Sequence, residues 1–169
     1  DRPLITKVSV DQTDNTNGQI TVKWIAPDPI ALDTFLHPGP YKYVVMRADG
    51  ISGSDFQTVP GATFTSPTFA GLKDTMALDQ NLDTRTRGYN YRIDFFTGAS
   101  TERYGSSQTA SSVFLTTLPS DEASILSWEY FVPWDNYSFE VWRSDQGGQF
   151  NMIGTTTSNN YTDSDNVFN

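Results

Sequence analysis

The 169-residue sequence predicts an all-β protein made of two consecutive β-sandwich units, the second of which is incomplete. Aromatic residues make up 14% of the chain and charged residues only 18%, a composition that suits strands better than helices. Several segments alternate apolar and polar residues with a period of two, as expected for a strand with one buried face. One such pattern, centred on a tryptophan, occurs twice and predicts a duplicated unit.

The first unit is predicted from a series of these segments. In residues 19–25 the apolar side chains of Ile20, Val22 and Trp24 alternate with polar ones, and residues 89–95 alternate still more regularly. A proline-rich loop follows the second strand. We predict strands over residues 4–10, 19–25, 41–47, 56–59, 62–69, 89–95 and 102–109, with residues 76–82 forming either a helical turn or an edge strand.

The second unit repeats the spacing of the first. Trp24 and Trp128 are 104 positions apart (128 minus 24), whereas Arg47 and Arg143 are 96 apart (143 minus 47). The separation changes only across loops and stays constant within a strand, as in a structural repeat. The other matched pairs are Tyr41 with Tyr137, Phe56 with Phe150, and Phe69 with Tyr161. We divide the chain into units 1–109 and 110–169.

The second unit lacks a counterpart of the last two strands of the first. No alternation like that of residues 89–95 follows Tyr161. In a seven-strand sandwich those strands form one side of the core, so a unit without them exposes apolar faces and sheet edges. We expect that the sequence is truncated before them; donation of the strands by another chain is the alternative.

Inward-facing positions of the strands form the predicted core. Each of the two repeated tryptophans should anchor one unit, and removing such a ring typically costs about 3–5 kcal/mol. The predicted core residues are Trp24, Tyr41, Tyr43, Tyr89, Tyr91, Trp128, Tyr137 and Phe139.

Several of these residues resemble the fibronectin type III family, whose domains are immunoglobulin-like β-sandwiches. The resemblance rests on Trp24 in the second strand, on the Tyr41–Tyr43–Val45 pattern and on Tyr89–Tyr91–Ile93–Phe95. It implies that Tyr89 belongs to a tyrosine corner, in which the hydroxyl bonds to the backbone a few residues upstream. The Pro-Gly turn that the family has before this tyrosine is absent here.

A narrower resemblance covers almost the whole chain. The chain resembles the tandem fibronectin-like region of Bacteroidota surface proteins that carry a gliding motility-associated C-terminal domain, closely in the second unit and more loosely in the first. The residues that carry the resemblance are, in this order, 124–128, 133–135, 137–144, Gly147 and Gly148 before Phe150, and 153–157 followed by 161–163. The resemblance implies export by the type 9 secretion system and a location at the cell surface or outside the cell. It implies neighbouring domains of the same polypeptide as partners, with surface polysaccharide or secretion-machinery proteins as further candidates.

The charge balance argues against two classes of partner. Lys and Arg number 11 and Asp and Glu number 20, which gives a net charge of -9. Such a field repels phosphate backbones and anionic lipid, so we predict neither nucleic-acid binding nor membrane insertion. The sequence contains no Cys, which removes disulfides, thiol catalysis and cysteine-based zinc sites.

No set of residues suits catalysis, and we predict that the protein is not an enzyme and uses no metal or cofactor. His37 is the only histidine and lies in a proline-flanked loop, which offers little basis for a catalytic triad. The aspartates cluster in turns, where carboxylates accept backbone hydrogen bonds. Residues 11–18 fail the calcium-loop pattern at its first ligand, and Asp163 with Asp165 and Asn166 could bind a cation only weakly.

Two tryptophans are candidates for ligand binding. Trp134 lies in a loop beside Pro133, and Trp142 has the opposite parity to Phe139 and Val141, so its ring should face away from the core. An exposed ring can stack on a sugar, although covering a sheet edge or an arginine stem is the alternative.

Two further surface features are noted. Asp74–Thr75–Met76 resembles the O-glycosylation acceptor of exported Bacteroidota proteins, which makes Thr75 a candidate modification site. The apolar pair Phe35 and Leu36 in the long loop is expected either to pack across the junction with the second unit or to contact a partner. The sequence thus predicts a non-enzymatic spacer or adhesion module of an exported surface protein, with a carbohydrate-binding module as the alternative.

Overall fold

The structure is a computed structural model that describes residues 2–98, 103–135, 137–145 and 147–164. These residues form antiparallel sheets and contain no α-helix, which confirms the all-β prediction. A 3-10 turn spans Phe69–Gly71. The strands are β1 (Leu4–Gln12), β2 (Gly18–Ile25), β3 (Tyr41–Asp49), β4 (Gln57–Ser66), β5 (Met76–Leu82), β6 (Tyr89–Phe96), β7 (Arg103–Ser106), β8 (Ala110–Ser111), β9 (Phe114–Ser120), β10 (Ala123–Glu129), β11 (Phe139–Ser144), β12 (Phe150–Thr156) and β13 (Asn160–Asp163).

The chain divides into two compact units. The first comprises residues 1–113 and 130–133, and the second comprises residues 114–129 and 134–169. The sequence places Ala110 at the start of the second unit, whereas the structure pairs it with Tyr91 in β6 of the first. A two-residue strand such as β8 is too short to show an alternating pattern, which is why the sequence gives no sign of this pairing.

The first unit contains two antiparallel sheets. One has the strand order β1-β2-β5 and the other has the order β4-β3-β6-β7, with β8 also paired to β6. Side chains of both sheets meet in one core, because the ring of Trp24 on β2 lies edge-on to the ring of Tyr43 on β3, 5.7 Å between centroids. The ring of Phe95 on β6 lies 5.3 Å from that of Tyr43. Of the predicted core residues, Trp24, Tyr41, Tyr43, Tyr89 and Tyr91 are all at most 4% exposed.

Residues 76–82, predicted to form either a helical turn or an edge strand, form the strand β5 at the edge of its sheet. Two other segments of the first unit differ in detail from the sequence prediction. The segments 56–59 and 62–69 join into the single strand β4, which passes through Gly61 at a φ of 74°, a conformation that glycine adopts without strain. The predicted strand 102–109 shortens to β7, and Glu102 lies outside the described residues.

The second unit contains a three-stranded sheet of order β13-β10-β9 and the two-stranded sheet β11-β12. Its core is centred on Trp128, which is 5% exposed and whose ring lies 5.1 Å from that of Phe139. Tyr137, expected in the core, is instead 37% exposed. It precedes β11, so strand alternation does not point it inward, and its ring rests edge-on against Phe139 at 5.5 Å.

The backbone of the second unit repeats that of the first. Trp24 N donates to Thr75 O at 3.0 Å, and Trp128 N donates to Asn159 O at 2.9 Å. In the same register Val22 lies opposite Ala77, and Leu126 opposite Tyr161. β13 is therefore the counterpart of β5 at a separation of 84 positions (161 minus 77).

This register corrects one of the matched pairs. The sequence matched Tyr161 with Phe69, but Phe69 lies in the 3-10 turn and the true counterpart of Tyr161 is Ala77. The wrong match came from pairing two aromatic residues with each other. In a sheet, equivalent positions of two units are defined by the backbone register and not by the size of the side chain. The separation of 94 between Phe56 and Phe150 agrees with the structure, since Arg47 lies opposite Gln57 and Arg143 opposite Asn151.

Candidate functional site

An ion pair connects the two sheets inside the first unit. Nη1 of Arg47 on β3 lies 2.9 Å from both carboxylate oxygens of Asp79 on β5, and Asp79 is 2% exposed. The hydroxyl of Tyr91 on β6 donates to the same carboxylate at 2.9 Å. Burial raises the pKa of Tyr91, and the negative charge of Asp79 raises it further, so this hydroxyl stays protonated as a donor.

The second unit repeats this ion pair. Nη1 of Arg143 on β11 lies 2.9 Å from both oxygens of Asp163 on β13, and Asp163 is 5% exposed. A second carboxylate, that of Asp145, lies 3.0 Å from Arg143 Nε. Asp163, named in the sequence analysis as a weak cation ligand, thus forms an ion pair with an arginine. The other two residues of that group, Asp165 and Asn166, lie outside the described residues.

Asp94 and Asp14 are two further carboxylates with several hydrogen-bond donors each. Asp94 accepts from Arg92, Arg103 and Ser106 on the outer side of β6. Asp14 Oδ1 accepts from two backbone N–H groups of the turn between β1 and β2, which lowers the pKa of Asp14. Within the part of the chain that the structure describes, no three His, Cys, Asp or Glu side chains come close enough together to hold a metal ion.

His37 lies apart from these carboxylate networks. Its ring is 4.6 Å from that of Tyr104, and its backbone N–H donates to Asp33 O at 2.9 Å. The arrangement is that of a histidine packed in a loop.

The candidate ligand surface is the outer face of β11 and β12, which we call the tryptophan face (Glu140, Trp142, Phe150 and Met152). Trp142 lies opposite Met152, and both side chains are about half exposed, at 49% and 53%; Phe150 is 67% exposed. Of the neighbouring positions, Val141 is buried and Arg143 reaches Asp163, so the alternation of the strand turns Trp142 outward. Trp142 Nε1 donates to Glu140 Oε2 at 3.1 Å, which fixes the ring beside a carboxylate.

The tryptophan face can act as a flat apolar platform with a polar rim. A sugar ring presents C–H groups to an aromatic face and hydroxyl groups to a carboxylate, and this combination suits the Trp142 ring and Glu140. Trp134, the other predicted ligand-binding residue, is half-buried and offers less of its ring.

The structure places the remaining predicted surface residues in solvent. Asp74, Thr75 and Met76 are all exposed, and Thr75 uses only its backbone carbonyl to accept from Trp24 N. Phe35 and Leu36 are 91% and 68% exposed. Their loop is ordered by Asp33 Oδ1, which accepts from the N–H groups of both residues.

Sequence reasoning missed the exposed Phe150 and Met152 and the two inter-sheet ion pairs. The recurring Arg47 and Arg143 at the ends of matching strands were visible, but their partners lie 32 and 20 positions away. The sequence signal for these ion pairs is an aspartate that recurs at the separation of 84 positions between β5 and β13, as Asp79 and Asp163 do.

Comparison with protein-family models and with curated protein sequences finds no match to this chain. Among the described residues, no helix has the length and apolar character needed to cross a lipid bilayer.

Proposed function

We propose that this chain is a non-enzymatic spacer or adhesion module of an exported bacterial surface protein, built from two fibronectin type III-like units. The observation that carries the proposal is the repeated core: the same tryptophan–ring contact, the same inter-sheet ion pair and the same strand register occur in both units. Tandem copies of a unit that has its own hydrophobic core suit a protein that holds other domains at a distance.

The strand order of the first unit supports the fibronectin type III-like assignment. Three strands, β1-β2-β5, oppose the sheet β4-β3-β6-β7, as in a seven-strand sandwich of this type. The Tyr89 hydroxyl accepts from Asp83 N at 3.1 Å and donates to Asp83 O at 3.3 Å, six residues upstream. This contact supports the proposal, because a tyrosine corner predicts a hydroxyl bonded to the backbone a few residues upstream; the Pro-Gly turn is absent.

The use of charged groups favours a structural role over an enzymatic one. Asp79, Asp94 and Asp163 are buried in ion pairs, and Asp14 and Asp33 order turns. General acid–base chemistry needs groups that converge on a shared cleft, and these carboxylates are instead dispersed among separate contacts.

The proposal is tested by location and by mechanical behaviour. Antibody raised against the chain should label intact cells that produce it, and protease added to those cells should remove the label. In single-molecule stretching, the first unit should unfold as one cooperative step of about 3.3–3.6 Å per released residue. Label found only after lysis, or extension without a cooperative step, would contradict a surface spacer.

Carbohydrate binding is the second candidate, favoured by the exposed Trp142 ring beside Glu140. Surface polysaccharide titrated into the protein should change the tryptophan emission and saturate. Trp142→Ala should abolish the change, whereas Trp134→Phe, at a half-buried ring, should retain it. A signal that survives Trp142→Ala would exclude the tryptophan face as the platform.

A further inference from the structure

An open groove of about 420 Å³ lies on the first unit, beside the edge strand β7. It is lined by Arg2, Tyr104, Gly105 and Ser106, so the segment before β1 lies next to β7 of the other sheet there. The volume falls within the range of about 300–1,000 Å³ that small-molecule sites occupy. We call these four residues the β7 groove.

Tyr104 supplies an aromatic ring whose position is fixed by its neighbours. The ring lies 4.6 Å from that of His37 and 5.8 Å, edge-on, from that of Phe95, which is completely buried. Tyr104 itself is half-buried, and its remaining surface lines the groove. An aromatic ring held in this way can pack against the C–H groups of a sugar with little further loss of side-chain freedom.

Two kinds of hydrogen-bond donor reach the groove. Ser107 N donates to Ile93 O at 2.9 Å, so the backbone N–H of Ser107 faces β6. Backbone groups alternate in direction along a strand, so the N–H of Ser106 faces the opposite side, at the edge of the sheet. The guanidinium of Arg2, an exposed residue, carries five N–H donors in a planar fork. A carboxylate accepts from a guanidinium and from a backbone N–H in strong, charge-assisted hydrogen bonds.

Ser106 connects the groove to a cluster that has more arginines than carboxylates. Ser106 Oγ donates to Asp94, which also accepts from Arg92 and Arg103 and is 4% exposed. Together with Arg2, these groups amount to three cations and one carboxylate, a balance of +2 (3 minus 1). The Debye length at physiological salt is about 8 Å, so these nearby groups act on a ligand in the groove more strongly than the distant carboxylates that make the net charge -9.

We propose that the β7 groove binds an acidic sugar, a pyranose that carries a carboxylate, such as a hexuronate. The Arg2 guanidinium and the Ser106 N–H bind the carboxylate, and the Tyr104 ring packs against the C–H face of the pyranose. A simple carboxylate would leave the ring unused, and a neutral sugar would leave the cation unused. The site does not depend on the spacer role, and it belongs to a different unit from the tryptophan face.

The test titrates oligogalacturonate into the full chain and follows the backbone amide signals by NMR. We expect saturable shifts at Tyr104, Gly105 and Ser106. Fully methyl-esterified oligogalacturonate is the matched control, because it keeps the pyranose rings and lacks the charge. Acetate is the converse control, because it keeps the charge and lacks the ring. Both controls should bind at least about tenfold more weakly than oligogalacturonate.

Two exposed arginines give a matched pair of variants. Arg2→Gln should weaken the binding of oligogalacturonate by about tenfold or more, because it removes a charged donor to the carboxylate. Arg85→Gln removes the same charge from an exposed residue in the turn between β5 and β6, at the end of β6 away from the groove, and should bind as the unchanged protein does. Trp142→Ala should also retain the binding, which separates this site from the tryptophan face.

Four results would overturn the proposal. They are shifts that do not saturate or that spare the groove, equal affinity for the charged and the esterified oligosaccharide, unchanged affinity in Arg2→Gln, and binding that is lost in Trp142→Ala with shifts on β11. The last result would place the acidic sugar on the tryptophan face instead. Neither these results nor their opposites would alter the label on intact cells that tests the spacer role.

Discussion

Arg47 Nη1 lies between the two carboxylate oxygens of Asp79, 2.9 Å from each, and so joins β3 of one sheet to β5 of the other. Arg143 and Asp163 repeat the contact with the same atoms and distances in the second unit. Because desolvation offsets the attraction of a buried pair, such a contact is better suited to fixing which strands pack together than to adding stability.

Removing one member of the pair should therefore cost more than replacing both. Asp79→Ala leaves the Arg47 charge and the Tyr91 hydroxyl without their acceptor, and we expect the free energy of unfolding of the first unit to fall by about 3–5 kcal/mol. Arg47→Met combined with Asp79→Leu should cost less than Asp79→Ala alone. Urea unfolding followed by circular dichroism measures both.

Asp163→Ala is the matched comparison in the second unit. Asp145 remains 3.0 Å from Arg143 Nε and partly compensates the charge, so this change should cost less than Asp79→Ala. Equal losses in the two units, or a loss below about 1 kcal/mol for Asp79→Ala, would contradict the importance of the buried carboxylate.

Tyr43→Phe should leave the protein equally stable or make it more stable by about 1 kcal/mol. The Tyr43 hydroxyl is buried and has no hydrogen-bond partner in the described residues, so its removal relieves a desolvation cost. The second unit already has Phe139 at this position. Tyr91→Phe is the control and should destabilise, because Asp79 loses a donor. A clear loss of stability in Tyr43→Phe would show that the hydroxyl has a partner in solution.

Stability should fall as the pH rises from about 10 toward 12. Burial raises the pKa of Tyr43 to about 12 from an ordinary value of 10.0, and the pKa of Tyr91 is also raised. Because the folded pKa exceeds the unfolded one, the contribution is complete below pH 10 and is lost as the unfolded tyrosines ionise, at about 1.4 kcal/mol per pH unit per group. Urea unfolding across this range should show a shallower fall for Tyr43→Phe. Ionisation of all tyrosines near pH 10 in the folded protein, seen in ultraviolet absorbance, would contradict the burial.

The repeated tryptophan and the surface tryptophan should differ sharply in their contribution to stability. Trp128→Ala removes a ring that is 5% exposed, and we expect a loss of about 3–5 kcal/mol. Trp142→Ala removes a half-exposed ring and should change stability by no more than about 1 kcal/mol. Thermal unfolding of the two variants tests whether the Trp128 side chain on β10 faces the core and the Trp142 side chain on β11 faces solvent. A larger loss of stability in Trp142→Ala than in Trp128→Ala would refute this assignment.

If the chain is exported as proposed, the protein isolated from its producing organism should carry a glycan on Thr75. The side chain is exposed, and the carbonyl that accepts from Trp24 N belongs to the backbone, so a sugar on the hydroxyl disturbs no described hydrogen bond. Intact mass should exceed the sequence mass by hexose-sized increments, and Thr75→Ala should remove them. An unmodified mass in material from the producing organism would eliminate the site.

The sequence predicted those features that depend on local alternation. Residues 89–95, predicted as a strand, lie in β6. Trp142, predicted from its position in the alternating pattern to face away from the core, is half exposed. Equivalence failed at Tyr161, because the register of β13 against β10 is a long-range property that side-chain type does not reveal. Likewise Arg47 and Asp79 meet only because two sheets bring them together across 32 positions.

The indole N–H groups of Trp24 and Trp128 are both buried without a hydrogen-bond partner among the described residues. An indole shielded from water and from polar neighbours emits at shorter wavelength than one in solvent, so these two rings form a spectroscopic class distinct from Trp142. An aqueous quencher such as iodide would then reach the surface ring first. Each core thus contains its own reporter of unfolding, and the outer ring of β11 remains available as a separate reporter of binding.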